Sequence, residues 1–238
     1  MSKTILITND DGIDADGIVR LARAAKKYGE VWVVAPQSQR SAASHSITLR
    51  THIDVEEYDF PVEGVRAFAT TGTPADCVRV AVHGIMDKKP DIVFSGINFG
   101  YNAGTDVQYS ATVGAAMEAV FQEIPAVAFS EGFENACEIT DKYLDEILEK
   151  LINTEYVPLQ IVNVNFPTCS LEEFNGILWD RFSSLGSIFR DTYDCEEVKD
   201  GMKRYMVHGH YNEDVEDGSD LRALFDNYIS IGNITNIH

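Results

Sequence analysis

The chain opens on a continuously apolar run, Ile5-Leu6-Ile7 within Lys3 to Thr8, and repeats the pattern at Val31-Trp32-Val33-Val34. Strands without polar alternation are expected where helices cover both faces of a parallel sheet. Between these runs, Ile18 to Lys27 places apolar residues at helical spacing. The first segment therefore reads as β-α-β. The alternation resumes with a helix from Ala75 to about Met86, a strand over Asp91 to Ser95, a helix over Val113 to Gln122 and a strand over Ala126 to Phe129. A helix around Thr140 to Ile152 and a strand over Leu159 to Asn165 complete the series. From Ser44 to Ala69 the residues alternate, as in Ser46-Ile47-Thr48-Leu49, which predicts antiparallel strands or a hairpin inserted into the core. After Pro167 the chain is acidic and turn-rich until a short helix at Asp220 to Phe225 and a strand at Tyr228 to Ile231. The pattern predicts one α/β domain over 1–238, with a core of about 1–167 and an extension of about 168–238.

Composition supports a sizeable core, since 45% of the 238 residues are hydrophobic and 10% aromatic. The formal charge of -19 argues against a duplex nucleic-acid or membrane-surface partner, because both attract a basic footprint. The acidity is uneven: residues 1–119 hold 15 acids and 11 bases, while residues 120–238 hold 23 and 8. No apolar run is long enough to span a bilayer. The start of the chain lacks a signal-peptide pattern. Four widely spaced cysteines, Cys77, Cys137, Cys169 and Cys195, form no CxxC pair, which fits reduced thiols in a cytoplasmic protein.

In open parallel sheets ligands bind beyond the carboxyl ends of strands, so the loops that follow strands are where chemistry is expected. The first, Thr8-Asn9-Asp10-Asp11-Gly12, sets two carboxylates side by side. Their repulsion favours a neutralising cation, and two hard oxygen donors suit Mg²⁺ or Mn²⁺. The same residues also suit a turn followed by a helix cap, since Asp-Gly is a common turn pair. Asp14-Ala15-Asp16-Gly17 is no calcium loop, because a twelve-residue frame on these aspartates puts Arg23 where a glutamate is needed. Asp16 instead suits the start of a helix. The second loop, Pro36 to Ser46, gathers Arg40, Ser41, His45 and further hydroxyls, which suit phosphate oxygens or a metal, though a serine-rich loop is often only a loop. The third, Ser95 to Gly104, is glycine-rich without a dinucleotide or phosphate-loop motif, and offers Asn98 and Asn102 as donors or ligands. Ser110-Ala111-Thr112 then opens a helix whose free amides form an anion pocket. A metal site beside an anion pocket suggests a phosphate ester.

Five segments in order carry a resemblance: Asn9-Asp10-Asp11-Gly12; Arg40-Ser41 with His45-Ser46; Thr71-Gly72-Thr73-Pro74-Ala75-Asp76-Cys77-Val78; Ser95-Gly96-Ile97-Asn98; and Tyr109-Ser110-Ala111-Thr112-Val113-Gly114-Ala115-Ala116. Together they resemble the SurE family of metal-dependent 5′-nucleotidases. The resemblance implies a Rossmann-like, three-layer α/β/α fold with a mostly parallel sheet, one divalent cation and hydrolysis of nucleoside monophosphates. It implies Asp10, Asp11, Ser41 and Asn98 as metal ligands, and a phosphate pocket near Asn9, Ser110 and Thr112. It also implies that the C-terminal extension embraces a second subunit, giving a homodimer or tetramer. Where the family usually has Ser-Gly-Thr, this chain has Ser110-Ala111-Thr112, so a methyl is expected at the phosphate. The C-terminal Asn227-Tyr228-Ile229-Ser230-Ile231-Gly232-Asn233 also departs from the usual ending.

On this reading Asp10 is the first choice for the base acting on the attacking water, with Asn9, Asn98, Ser110 and Thr112 as donors. His45 is a candidate leaving-group acid, and Arg40 a candidate phosphate ligand. The absence of a DxD pair in the first loop disfavours an aspartyl-phosphate route. Two alternatives are a receiver domain, whose length would be about half, and a nucleotide-binding module without turnover.

Overall fold

In the computed structural model, residues 2–133, 137–212 and 214–235 are described. Three layers form around a nine-stranded sheet. The central strands are β1 (Lys3–Thr8), β2 (Gly29–Pro36), β4 (Arg66–Thr70), β5 (Ile92–Phe99), β6 (Ala126–Glu131) and β7 (Gln160–Phe166). All run parallel, in the order β4-β2-β1-β5-β6-β7. Helices α1 (Asp16–Ala25) and α4 (Glu138–Leu151) cover one face, where Ile18, Leu21, Ile147 and Leu148 pack against Ile5, Ile7, Val33 and Phe94. On the other face, α2 (Pro74–Val80) and α3 (Ala111–Phe121) pack Cys77, Val78, Val113 and Met117 against Leu6, Trp32, Val34 and Val93. Alternate residues of each strand thus enter opposite cores, which is why β1 and β2 have no polar face.

Helix and strand expectations hold to within a few residues, with two informative differences. The segment expected as an inserted hairpin forms one only at the sheet edge, where β3 (Val55–Glu57) pairs antiparallel with β4. Ser46–Leu49 forms no strand, because its backbone is tied elsewhere, and β4 itself pairs parallel with β2. The extension is more ordered than its composition suggested. It holds β8 (Gly176–Leu178), a long antiparallel ribbon of β9 (Phe189–Lys199) and β10 (Met202–Tyr211), then α5 (Asp220–Phe225) and β11 (Tyr228–Thr235). Strand β11 enters the main sheet antiparallel to β7, with β8 parallel beyond it. Asp16 is the first residue of α1, and Ala15 occupies the cap with no side-chain bond. Cys77 is fully buried, and burial pushes its thiol up to about 12.

The Pro36–Ser46 loop and the chain after it are fastened to the N-terminus of α2, where the Thr73 hydroxyl donates to Ser46 O at 2.7 Å beside a capping box. The Thr73 hydroxyl accepts the Asp76 amide, and the Asp76 carboxylate accepts the Thr73 amide. That carboxylate, 1% exposed, also accepts the amide of Thr48 at 2.9 Å and its hydroxyl at 2.6 Å. Burial opposes ionisation of Asp76, yet the donors from Thr48 and Thr73 outweigh it and hold the carboxyl below its ordinary range. The ionised form therefore stabilises the fold above the unfolded carboxyl's pKa of about 3.9, and this contribution is lost as pH falls through the lowered folded value. Asp76→Asn is expected to cost about 1–3 kcal/mol at neutral pH, with a difference from wild type that shrinks below about pH 4. Urea unfolding at a series of pH values checks this, and a difference independent of pH would refute it.

Candidate active site

Strand β1 lies between β2 and β5, and the chain departs to one side of it before crossing back to the other. Such a reversal leaves a crevice beyond the carboxyl ends of the two strands. Three loops and the start of α3 meet there.

The first loop turns sharply after β1 because the Asn9 side-chain amide donates to Gly12 O at 2.8 Å. Asn9 is fully buried, and its Oδ1 has no donor among the described residues. Asp10 follows at 4% exposure, its Oδ1 accepting the Thr112 hydroxyl at 2.5 Å. Burial pushes the Asp10 carboxyl up to about 6; the Thr112 bond opposes the rise, and the neighbouring Asp11 charge adds to it. Asp11 is raised as well, chiefly by burial, against donors from the Phe99 amide at 3.0 Å and Gln39 at 3.1 Å. Among the described residues, neither carboxylate has a Lys, Arg or His in ion-pair contact.

The second loop is drawn against the first by the Arg40 amide, which donates to Asp10 O at 2.7 Å. Its far end is held by the Ser44 amide on Tyr109 O at 3.1 Å. Here the loop crosses α3 so closely that a Cβ at Gly114 would stand 2.4 Å from Ser44 O. The third loop begins with a register shift in β5 between Ser95 and Asn98, which re-aims Asn98 at the crevice. The Asn98 Nδ2 is spent on Gly100 O at 2.7 Å, leaving its carbonyl oxygen as the free end. Ser110 caps α3, accepting the Val113 amide at 3.1 Å. The amides of Ala111 and Thr112 have no intrahelical acceptor at this terminus.

These pieces enclose a cavity of about 460 Å³ whose lining includes Asp10, Ser41, Asn98 and Ser110. Asp11 stands beside it, bridging the first and third loops. The other sequence-predicted residues lie differently. Asn9 serves the turn, and Thr112 gives its hydroxyl to Asp10. Ala111 is fully buried and is not part of the cavity wall, so its methyl does not narrow the space. The Arg40 guanidinium turns away to Thr71 O at 3.0 Å. His45 lies outside this cavity, over the flank of α3, where its ring stacks on Phe121 at 5.4 Å, and burial lowers its pKa. The structure does not bring His45 to Asp10.

Sequence reasoning missed the anchors of the third loop. The Asn102 amide donates to Asn165 Oδ1 at 2.8 Å, its side chain donates to Ser130, and its carbonyl accepts from Asn163 and Asn165. Two asparagines on an otherwise apolar buried strand, β7, were the available signal. The Asp220 carboxylate, 5% exposed, accepts the Gly104 amide at 2.9 Å and the Ser184 amide at 2.9 Å. Nothing in the sequence pattern linked those positions.

Chemically the site offers oxygen donors of several kinds: the Asp10 carboxylate in the cavity wall with Asp11 beside it, the Ser41 hydroxyl and the Asn98 carbonyl. No group of three or more His, Cys, Asp or Glu side chains suited to a metal occurs among the described residues. Beside these oxygens stand the capping hydroxyl and free amides of α3.

The family model described as Survival protein SurE matches residues 5–186. The 5′-nucleotidase SurE of Clostridium botulinum (strain 657 / Type Ba4) is 40% identical over 232 residues, covering 95% of this chain and 90% of that protein. The 5′-nucleotidase SurE of Alkaliphilus metalliredigens is 38% identical over 236 residues, with the same shares of 95% and 90%. The crystal structure of the SurE protein from Aquifex aeolicus superposes with a TM-score of 0.84 at 34% identity, covering 98% of this chain and 93% of that one.

The close crossing at Gly114 generates a structural prediction. Gly114→Ala is expected to leave the far-ultraviolet circular dichroism unchanged while displacing the second loop. Amide hydrogen exchange at Arg40 and Ser44 should then quicken by about tenfold or more. Unaltered exchange at both amides would show that the loop does not depend on that contact.

Proposed function

The chain belongs to the SurE family, and from that premise we propose that it is a 5′-nucleotidase, hydrolysing nucleoside 5′-monophosphates to nucleoside and inorganic phosphate. The observation that carries this reading is the convergence of Asp10, Ser41, Asn98 and Ser110 on one cavity at the β1–β5 crevice. An oxygen-donor cluster beside a helix N-terminus suits a phosphoryl group and its charge.

The same residues fit a divalent cation. Asp10 and Asp11 are drawn from water with no ion-paired cation among the described residues, Asn98 presents its carbonyl, and Ser41 adds a hydroxyl. An all-oxygen set suits Mg²⁺ or Mn²⁺ over softer metals. Bound there, such an ion would neutralise phosphoryl charge and lower the pKa of water. The protein's own part is positional. Thr112 holds Asp10 Oδ1, leaving Oδ2 to orient the attacking water and take its proton. The Ser110 hydroxyl, which lines the cavity at the N-terminus of α3, receives the phosphoryl oxygens. His45 is stacked on Phe121 outside the cavity, so the leaving alkoxide takes its proton from solvent. The cavity wall carries Asp10, Asp106 and Asp191 but, among the described residues, neither Lys nor Arg, which favours a monophosphate over more highly charged nucleotides.

The ribbon β9–β10 supports self-association. Residues two apart share a face, and paired residues oppose one another. Val207 pairs with Tyr193 and Tyr205 with Cys195, so one face is centrally apolar. Tyr193 is 62% exposed and Tyr205 60%. An isolated two-stranded ribbon is marginal in water, and a second copy of the chain is the partner that covers it. No described helix is long and apolar enough to cross a membrane. The four free cysteines suit a reducing cytoplasm.

Phosphate release from nucleoside 5′-monophosphates should require Mg²⁺ or Mn²⁺ and cease with chelator, and Asp10→Asn should lower kcat by about 100-fold or more. Activity surviving both chelator and substitution sinks the assignment. Binding of nucleotide with no release at all would instead favour a binding module. Tyr205→Asp combined with Val207→Asp should convert an oligomer to a monomer in light scattering, and a wild type already monomeric at micromolar concentration would overturn the ribbon's role.

A further inference from the structure

The cavity that holds Asp10 is also lined by aromatic rings whose exposure the hydrolytic chemistry does not require. Phe99 immediately follows Asn98 in the chain and remains 50% exposed. Phe133, 49% exposed, meets it edge-on with centroids 6.0 Å apart and planes at 90°. Phe189, from the root of the ribbon, stands 6.4 Å from Phe133 on the other side. All three line the cavity.

The backbone fixes this wall. The Phe99 amide is bonded to Asp11, and the Gly100 amide donates to Glu131 O at 2.7 Å, so the chain segments bearing Phe99 and Phe133 are tied together. Gly100 has φ +127, and a Cβ there would lie 2.8 Å from Phe133 Cε1. Glycine is what allows Phe133 to lie over the loop. Asn98 and Phe99 are consecutive, with Cα atoms about 3.8 Å apart, so the aromatic wall adjoins the loop position that supplies the Asn98 carbonyl. Thr105, Asp106 and Ser187 line the same cavity and supply acceptors suited to sugar hydroxyls. Asp106 spends one oxygen, Oδ2, on the Ile188 amide at 3.0 Å.

Resting on the phosphomonoesterase reading, we propose that Phe99 and Phe133 form the nucleobase platform, making the preferred substrate a nucleoside monophosphate over phosphorylated sugars without a base. A half-exposed aromatic wall takes any base by its π-face, so it adds affinity while discriminating weakly among bases. Phe133 and Phe99 are specificity-determining residues, remote from the bond that breaks.

The test compares a nucleoside 5′-monophosphate with ribose 5-phosphate in wild type, Phe133→Ala, Phe99→Ala and Phe133→Tyr. Either alanine variant should raise KM for the nucleotide by roughly tenfold, with kcat held within about twofold and kcat/KM for ribose 5-phosphate altered by less than about twofold. Phe133→Tyr, which keeps a ring face, should restore the wild-type KM. Equal losses on both substrates, or no loss on the nucleotide, would overturn the platform. Calorimetric titration with the free nucleoside gives a readout independent of turnover: wild type should bind it, and Phe133→Ala about tenfold more weakly. Equal binding, or none by wild type, also overturns it. Phosphate release from neither substrate would fell the hydrolase reading instead, while the titration would still decide the platform.

Discussion

Two adjacent carboxylates at the buried end of a parallel strand are the constraint around which the structure is arranged. Asp10 is 4% exposed, and its ionised form is opposed by burial and by the charge on Asp11. A fold keeps such a pair only where neighbouring donors or a bound cation offset the cost. Here the donors come from elements distant in sequence: Thr112 from α3, the Phe99 amide from β5 and Gln39 from the second loop. The N-terminus of α3, where the unpaired amides lie, adds the favourable end of a helix dipole. What gathers the loops is therefore also what makes the site attractive to a cation and a phosphoryl group together.

A site that depends on such placement needs a rigid surround. The third loop receives it twice. Asn102 is locked between Ser130 of β6 and Asn163 and Asn165 of β7, so two core strands set the loop's height. The C-terminal segment supplies the other anchors, with Asp220 on the Gly104 amide and Asp106 bonded to the Ile188 amide. Strand β11 in turn fixes that segment by pairing with β7. The region that reads from sequence as an appendage is thus a structural part of the site.

The parallel core was legible because its strands bury both faces and must be apolar throughout. The two asparagines of β7 broke that rule, and the exception marked a buried polar network. The hydrogen-bonding demands of the first loop were legible as chemistry but not as geometry. Asn9-Asp10-Asp11 gives no indication that Asn9 turns inward to Gly12 while Asp10 faces the cavity. Arg40 and His45 suited phosphate by residue type alone. Their side chains found competing partners, the Thr71 carbonyl and the Phe121 ring, that no local pattern could reveal. The ribbon escaped detection because hydrophobic patterning reports burial within one chain. Its face of Tyr193, Cys195, Tyr205 and Val207 is interrupted by the charged residues of the other face, and both faces lie outside the monomer's core.

The ribbon also joins the two proposals of assembly and substrate recognition. Its root residues Phe189 and Asp191 line the same cavity as Asp10, and Phe189 packs on Tyr211 at 4.9 Å across the two strands. A two-stranded ribbon free in water would fluctuate along its length, and Phe189 would move with it against Phe133. A second copy covering the apolar face, as proposed, would remove that freedom. In the proposed assembly, self-association would thus rigidify one wall of the cavity. The acidity of the second half, net -15 for residues 120–238, is compatible with this because the paired centre of the apolar face contains no acidic side chain. Charges flank the face, where they remain solvated and limit how far strands of different copies can pair edge to edge.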